Sequence, residues 1–187
     1  MRISAEGGAP QIVVQGKPFN HVGCAGPIEG KAECVAGFIE GDEYVFHSID
    51  PNGDASQELF RISHRAPFTK WALSRDGTRM AVVHNDDNTI RLFSVPSGEE
   101  SQIEVEGWTN FEFVEWSADG LRLYVNAGFA SAGEFPSLVV VEFDGSAQVL
   151  RKRPSEWLAY PAASPDGNYL AFVSMPFHGN VWLIKAF

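Results

Sequence analysis

An all-β fold made of repeated units of four short strands is predicted by three features of this 187-residue sequence. The motif Ser-x-Asp-Gly occurs three times, with its aspartates 43 and 47 residues apart, at Ser74–Gly77, Ser117–Gly120 and Ser164–Gly167. Short stretches rich in β-branched and aromatic residues flank each motif and end at turn residues. No segment free of Gly and Pro repeats its apolar residues at helical spacing. A repeat of this period with Asp-Gly turns is typical of a β-propeller.

Four blades are predicted in a single domain that covers residues 1–187. Their approximate bounds are residues 19–63, 64–106, 107–153 and 154–187, the last together with residues 8–16. From the inner strand outward, the first blade is predicted at 21–24, 33–39, 43–49 and 57–62, and the second at 70–73, 79–83, 89–95 and 102–105. The third is predicted at 113–116, 121–125, 138–143 and 147–150, and the fourth at 160–163, 169–174 and 180–184. Turn residues separate each segment from the next.

The predicted fourth blade lacks an outer strand, and the N-terminal segment offers one. Residues 10–15 form an isolated apolar stretch after the turn at Gly7 and Gly8. A propeller closes its ring by building one blade from both chain ends, which protects the strand edges. We therefore expect the N-terminal strand to complete the fourth blade. Two arrangements fit this expectation: a closed ring of four blades in one chain, or half of a larger propeller shared by a homodimer.

Composition excludes several classes of protein. The net charge of -10 argues against a nucleic-acid partner, which needs a basic face. No apolar run reaches 18 residues, so we expect no membrane insertion. The N-terminus lacks the apolar stretch of a secretory signal, which leaves the compartment open. A parent protein anchored in a membrane, with this domain outside the cytoplasm, is compatible with the sequence.

Two cysteines, Cys24 and Cys34, lie ten residues apart on either side of a predicted hairpin loop. As cross-strand neighbours they can form a disulfide. Two buried free thiols are the alternative, because cysteine is often simply buried. The sequence leaves this choice open. It offers no further His or Cys at zinc spacing, so we expect neither a metal site nor a cofactor.

The segment Ser164–Phe172, which reads SPDGNYLAF, resembles the blade core of TolB-like and WD-repeat-like β-propellers. The other two Ser-x-Asp-Gly units match that core less closely. A finer resemblance extends to the C-terminal propeller regions of bacterial multidomain proteins that carry a serine/threonine kinase or a winged-helix DNA-binding domain. It is carried by Glu6–Gln11, the two cysteines, Phe46–Pro51, Gly107–Trp108 and Asn180–Trp182. This resemblance implies a sensor or scaffold propeller within a signalling protein.

Four aromatic residues are candidate binding residues. Trp108 and Trp157 precede predicted inner strands, which places them at the end of the propeller where ligands bind. Phe129 and Phe135 lie in the long loop 128–136, and aromatic side chains on a surface loop can anchor a partner. The three turn aspartates are interpreted as structural, because Asp-Gly stabilises a tight turn.

The predicted function is a non-catalytic binding or scaffold module for a protein or peptide partner. The channel and the loop-bearing faces would form its contact surface. A propeller enzyme, either a lyase or a glycan hydrolase, is an alternative. Glu112 and Glu115 flank an inner strand and would be its first catalytic suspects. A sensor for a small ligand of the cell envelope is a third possibility.

Overall fold

The computed structural model describes residues 6–10, 20–26, 34–50, 56–64, 69–129, 136–154 and 156–176, with Phe129 described by its backbone alone. These residues form fourteen β-strands and no helix. They therefore contain no helix that is long and apolar enough to cross a membrane. The strands build three four-stranded sheets and one two-stranded sheet. Every pairing is antiparallel between consecutive strands, as the predicted blades require.

The first three sheets are complete blades in which the strands follow chain order from the inner to the outer edge. Blade 1 consists of β1 (His21–Cys24), β2 (Cys34–Glu40), β3 (Glu43–Ile49) and β4 (Ser56–Ser63). Blade 2 consists of β5 (Thr69–Leu73), β6 (Arg79–His84), β7 (Thr89–Ser94) and β8 (Glu100–Glu104). Blade 3 consists of β9 (Trp108–Trp116), β10 (Arg122–Phe129), β11 (Ser137–Glu142) and β12 (Ala147–Lys152).

Blade 4 is described only in part, by β13 (Glu156–Ala163) and β14 (Leu170–Pro176). The strands predicted at residues 180–184 and 10–15 lie outside the described residues. Completion of blade 4 by the N-terminal strand, and the choice between a closed ring and a ring shared by two chains, therefore stay predictions. The predicted strands at 113–116 and 160–163 begin earlier than expected, at Trp108 and Glu156.

The Ser-x-Asp-Gly turns are held by one repeated set of hydrogen bonds. The serine hydroxyl donates to the aspartate over 2.6, 2.5 and 2.6 Å at Asp76, Asp119 and Asp166. The backbone N–H two residues further on donates to the same carboxylate. Such bonds favour the charged form, and they hold the pKa of Asp166 at about 2. The three carboxylates are committed to their own turns.

Apolar cores join the blades face to face. One core lies between blades 1 and 2 and includes Phe46 and Met80. A second lies between blades 2 and 3, where the Trp116 ring is 2% exposed and its Nε1 donates to the Ala72 carbonyl over 3.0 Å. The guanidinium of Arg79 lies 4.6 Å from the centre of the Trp116 ring. Strand β13 packs on β9 and β10, which positions blade 4 beside blade 3.

Candidate functional site

The inner strands of all four blades line one cavity of about 410 Å³. Its walls are residues 20–24 with Tyr44, 69–73, 113–115 and 160–162. Because the inner strands of a propeller surround its axis, we call this space the axial cavity. Its volume falls within the range of roughly 300–1,000 Å³ that is usual for small-molecule sites.

Equivalent positions of the four inner strands meet in this cavity. The residue three places before the end of each inner strand is His21, Lys70, Phe113 or Tyr160. All four line the axial cavity. The repeat therefore places one basic side chain, one imidazole and two aromatic rings around a common opening.

A second set of equivalent positions on the four inner strands contains a single carboxylate. The residue next to the end of each inner strand is Gly23, Ala72, Glu115 or Ala162, and all four line the cavity. Glu115 is thus the one long side chain at this position, and the Trp71 ring, 3.0 Å from where a Cβ of Gly23 would lie, fills the place of a side chain there. Its Oε1 accepts a hydrogen bond from the backbone N–H of Trp116 over 2.9 Å. Burial nevertheless raises the pKa of the Glu115 carboxyl, because desolvation disfavours the charged form.

The two basic groups of the cavity have different charge states. The His21 ring packs edge-on against Trp71, with centroids 4.7 Å apart. Burial, and then the nearby charge of Lys70, lowers the pKa of His21, which keeps its imidazole neutral near pH 7. The Lys70 ammonium lies 5.9 Å from the centre of the Phe113 ring, within reach of a cation–π contact. Lys70 is thus the cation of the cavity.

The blade 4 side of the cavity is aromatic. The rings of Phe113 and Tyr160 lie 4.3 Å apart, and Trp157 lies 5.6 Å from Phe113. Tyr160 is 56% exposed and has a φ of 51°, at a register shift between Ala159 and Ala162 in β13. A bulge of this kind re-aims a side chain and adds strain, and both features concentrate at functional sites.

Arg75 spans the turn side of the inner strands. Its Nη1 donates to the Pro165 carbonyl of blade 4 over 3.0 Å, and its own carbonyl accepts from Gly26 of blade 1 over 2.8 Å. Gly26, Ala118 and Pro165 occupy the equivalent places in the other three blades. One long side chain among small residues therefore ties three blades together at this end. Tyr160, which is exposed, lies nearer the opposite end of the cavity.

Two of the four predicted binding residues, Trp108 and Trp157, can be placed relative to this site. Trp108 is 8% exposed and lies in the core between blades 2 and 3, because β9 begins at Trp108 instead of following it. Trp157 lies behind the cavity wall, where its Nε1 donates to Glu112. Phe129 ends β10, and its side chain lies outside the described residues, as does all of Phe135. Of Trp108 and Trp157, Trp157 is therefore the residue whose ring contacts a wall of the axial cavity, at Phe113.

Cys24 and Cys34 form a disulfide across paired positions of β1 and β2, with their Cα atoms 4.0 Å apart. The sequence had left this pairing open beside the alternative of free thiols. Within the described ranges, no group of three or more His, Cys, Asp or Glu side chains is placed to hold a metal ion.

The sequence did not single out three cavity-lining residues, His21, Lys70 and Tyr160, or Arg75 at the turn side of the inner strands. A usable signal was present, because Lys70, Phe113 and Tyr160 each stand four places before the serine of a Ser-x-Asp-Gly turn. Counting back from the repeated turn identifies equivalent inner-strand positions without knowing the strand bounds. Glu115 was named as a catalytic suspect, and it does line the cavity, whereas Glu112 does not.

Comparison with known proteins shows the fold but not a sequence family. No protein-family model and no curated protein sequence match this chain. Among solved structures it is similar to TolB from Acinetobacter baumannii, with 18% identity and a TM-score of 0.70 over 95% of this chain and 43% of that one. A protein assigned as TolB from Agrobacterium tumefaciens gives 18% identity and a TM-score of 0.60 over 82% of this chain and 55% of that one.

Hydrazine synthase from Kuenenia stuttgartiensis is similar as well, with 19% identity and a TM-score of 0.61 over 88% of this chain and 46% of that one. This chain thus spans roughly half the length of each of the three. At these identities the likeness shows architecture alone. The all-β, TolB-like propeller that the repeats predicted is confirmed, and the resemblance to kinase-linked or regulator-linked propellers stays a prediction.

Proposed function

We propose that the chain is a non-catalytic β-propeller module that binds a protein or peptide partner at the axial cavity. One observation carries this proposal: four inner strands join small residues, aromatic rings and single charged groups around a common space. A mainly apolar pocket with a few polar groups is the usual form of a binding site. The exposed ring of Tyr160, backed by Phe113 and Trp157, supplies the aromatic anchor that partners commonly contact.

A peptide-display library panned on the purified chain tests this proposal. Wild type is expected to enrich a recurrent peptide motif, and Tyr160→Asn is expected to abolish that enrichment. Asparagine is chosen because it tolerates the positive φ of residue 160. Tyr169→Asn is the matched control, because Tyr169 is 76% exposed on the same blade but does not line the cavity. Absence of any motif, or equal loss in both variants, would contradict the proposal.

A catalytic function is the second candidate, and one observation favours it. Burial raises the pKa of Glu115, as it does for many general acids. A two-carboxylate hydrolase needs its carboxyl groups to flank the substrate. The other suspect, Glu112, accepts a hydrogen bond from Trp157 and does not line the axial cavity, which supports binding over catalysis. Release of reducing sugar from a polysaccharide panel by wild type, but not by Glu115→Gln, would reverse this preference.

The module is further proposed to belong to a bacterial multidomain signalling protein, with the propeller outside the cytoplasm. The Cys24–Cys34 disulfide supports that placement, because disulfides persist in oxidising compartments. Mass spectrometry of the unreduced protein from its native cells tests this placement. A fully thiol form would contradict it.

A further inference from the structure

Two opposite charges line the axial cavity without pairing with each other. In the described part of the chain, the hydrogen bond of Glu115 comes from the backbone of Trp116, and no side chain donates to its carboxylate. Lys70 lies over the Phe113 ring, and none of the described ion pairs includes it. A half-buried charge without a counter-charge costs free energy that a suitable ligand recovers on binding.

Glu115 lines the axial cavity, whose volume of about 410 Å³ accommodates a small ligand. Gly23, Ala72 and Ala162 stand at the positions equivalent to Glu115 and line the same cavity. An ammonium group placed there would find a carboxylate with one oxygen free of described hydrogen bonds. Nearer the rim, Lys70 would offer its ammonium to a carboxylate. The rings of Trp71, Phe113 and Tyr160 line the same cavity and suit an apolar side chain.

We propose that the axial cavity binds an α-amino acid zwitterion with an apolar side chain, its ammonium against Glu115 and its carboxylate against Lys70. This inference rests on the proposed function only in placing binding at the same cavity, and it goes beyond that function by giving the cavity a small-molecule ligand of its own. A ligand with only a positive charge would meet repulsion from Lys70, and a ligand with only a negative charge would meet repulsion from Glu115. The zwitterion satisfies both groups. His21, which burial keeps neutral, does not compete with Lys70 for the carboxylate.

Titration calorimetry with three matched probes tests the proposal. L-phenylalanine carries both charges, 2-phenylethylamine lacks the carboxylate, and 3-phenylpropionate lacks the ammonium. We expect L-phenylalanine to bind about tenfold or more tightly than either single-charge probe, which is the effect of one added charge-assisted hydrogen-bonded contact. Phenylalanyl-alanine distinguishes a free amino acid from a peptide N-terminus: it retains the ammonium but displaces the carboxylate. Tighter binding of the dipeptide than of L-phenylalanine would overturn the proposal.

Three variants test whether Glu115 and Lys70 bind the two charges of the ligand. Glu115→Gln and Lys70→Met should each reduce the affinity for L-phenylalanine to that of a single-charge probe. The charge exchange K70E with E115K should keep the preference for the zwitterion, because the ligand can bind in the reverse orientation. Equal binding of the three probes, no binding of L-phenylalanine, or unchanged affinity in both single variants would overturn the inference. The peptide-display result with Tyr160→Asn is independent, so the broader proposal can stand or fall separately.

Discussion

The two faces of blade 3 pack against different neighbours, and they differ at one buried amide. Toward blade 2, Trp116, Leu123 and Val125 are 0–2% exposed and belong to a continuous apolar core. Asn126 alternates with these residues along β10 and pairs across the sheet with Phe113, so it lies on the face toward blade 4. Asn126 is fully buried, and neither polar atom of its amide has a hydrogen-bond partner among the residues that the structure describes. The continuous apolar core between blades 2 and 3 thus lies on the first face, and the second face buries an amide that adds little to stability.

The strained backbone residues lie at the contact between blades 3 and 4. Among the described residues, the two non-glycine residues with positive φ are Asn110 and Tyr160, at 54° and 51°. Each lies at a register shift, in β9 and β13 respectively, and these two strands form the contact between blades 3 and 4. A residue in this conformation costs about 1–3 kcal/mol and persists where function rewards it. The contact between blades 3 and 4 is therefore where we expect binding to have shaped the fold.

The largest expected change in stability comes from a substitution on the face of blade 3 toward blade 2. Trp116→Ala should lower the free energy of unfolding by about 3–5 kcal/mol, because it removes a fully packed ring and leaves a cavity. It also removes the hydrogen bond to Ala72 and the contact with Arg79. Urea denaturation followed by tryptophan fluorescence measures the change. The matched control Trp157→Ala, on the half-buried side of blade 4, should cost clearly less. Equal losses would erase the distinction between the two faces.

A substitution on the face of blade 3 toward blade 4 is expected to raise the free energy of unfolding. Asn126→Leu should raise the free energy of unfolding by about 1–2 kcal/mol, because it removes two buried polar atoms that have no partner. The same denaturation experiment measures it. A loss of stability would show that the amide of Asn126 makes a structural interaction.

The repeats allowed the fold to be predicted because each local signal agreed with the others. Asp-Gly turns, strand lengths and the repeat period all indicated four-stranded blades, and the described strands differ mainly at their ends. The exceptions have physical causes. Strand β9 starts at Trp108 because a bulge around Asn110 lets pairing continue past the predicted start. No local pattern signals such a bulge.

The candidate site was less predictable, because it depends on residues from four blades. Trp108 was predicted as a binding residue because it precedes a predicted inner strand, yet pairing along the full length of β9 buries its ring in a core. In the sequence, Lys70 is an ordinary strand residue. The arrangement of the blades places its ammonium 5.9 Å from the centre of the Phe113 ring. Equivalent positions in the repeats would have brought Lys70, Phe113 and Tyr160 together. The unpaired state of Glu115 and Lys70 becomes visible only with coordinates.

The turn aspartates and the cavity residue Glu115 should change the free energy of unfolding with pH in opposite directions, and the effect at the turns is small. The hydrogen bond from Ser117, followed by that from the backbone of Leu121, lowers the pKa of Asp119. Its charged form therefore stabilises the fold above its unfolded pKa of about 3.8, and this contribution is lost as the pH falls through the lower folded value. Asp119→Asn should cost about 0.5–1 kcal/mol at pH 7, since the group is exposed and screened. The difference from wild type should shrink as the pH falls below 3.8 in acid-dependent denaturation curves.

Glu115 should behave in the opposite way, and its substitution tests most directly whether the axial cavity is built for binding at a cost in stability. Burial raises its folded pKa above the ordinary 4.5, so its charge destabilises the fold at neutral pH and this penalty fades as the pH falls through the folded value. The decisive measurement is the free energy of unfolding of Glu115→Gln relative to wild type at pH 7 and pH 4. We expect the variant to be more stable by about 0.5–1 kcal/mol at pH 7, with a smaller gap at pH 4. A less stable variant at pH 7 would mean that Glu115 serves the fold, and it would contradict the account.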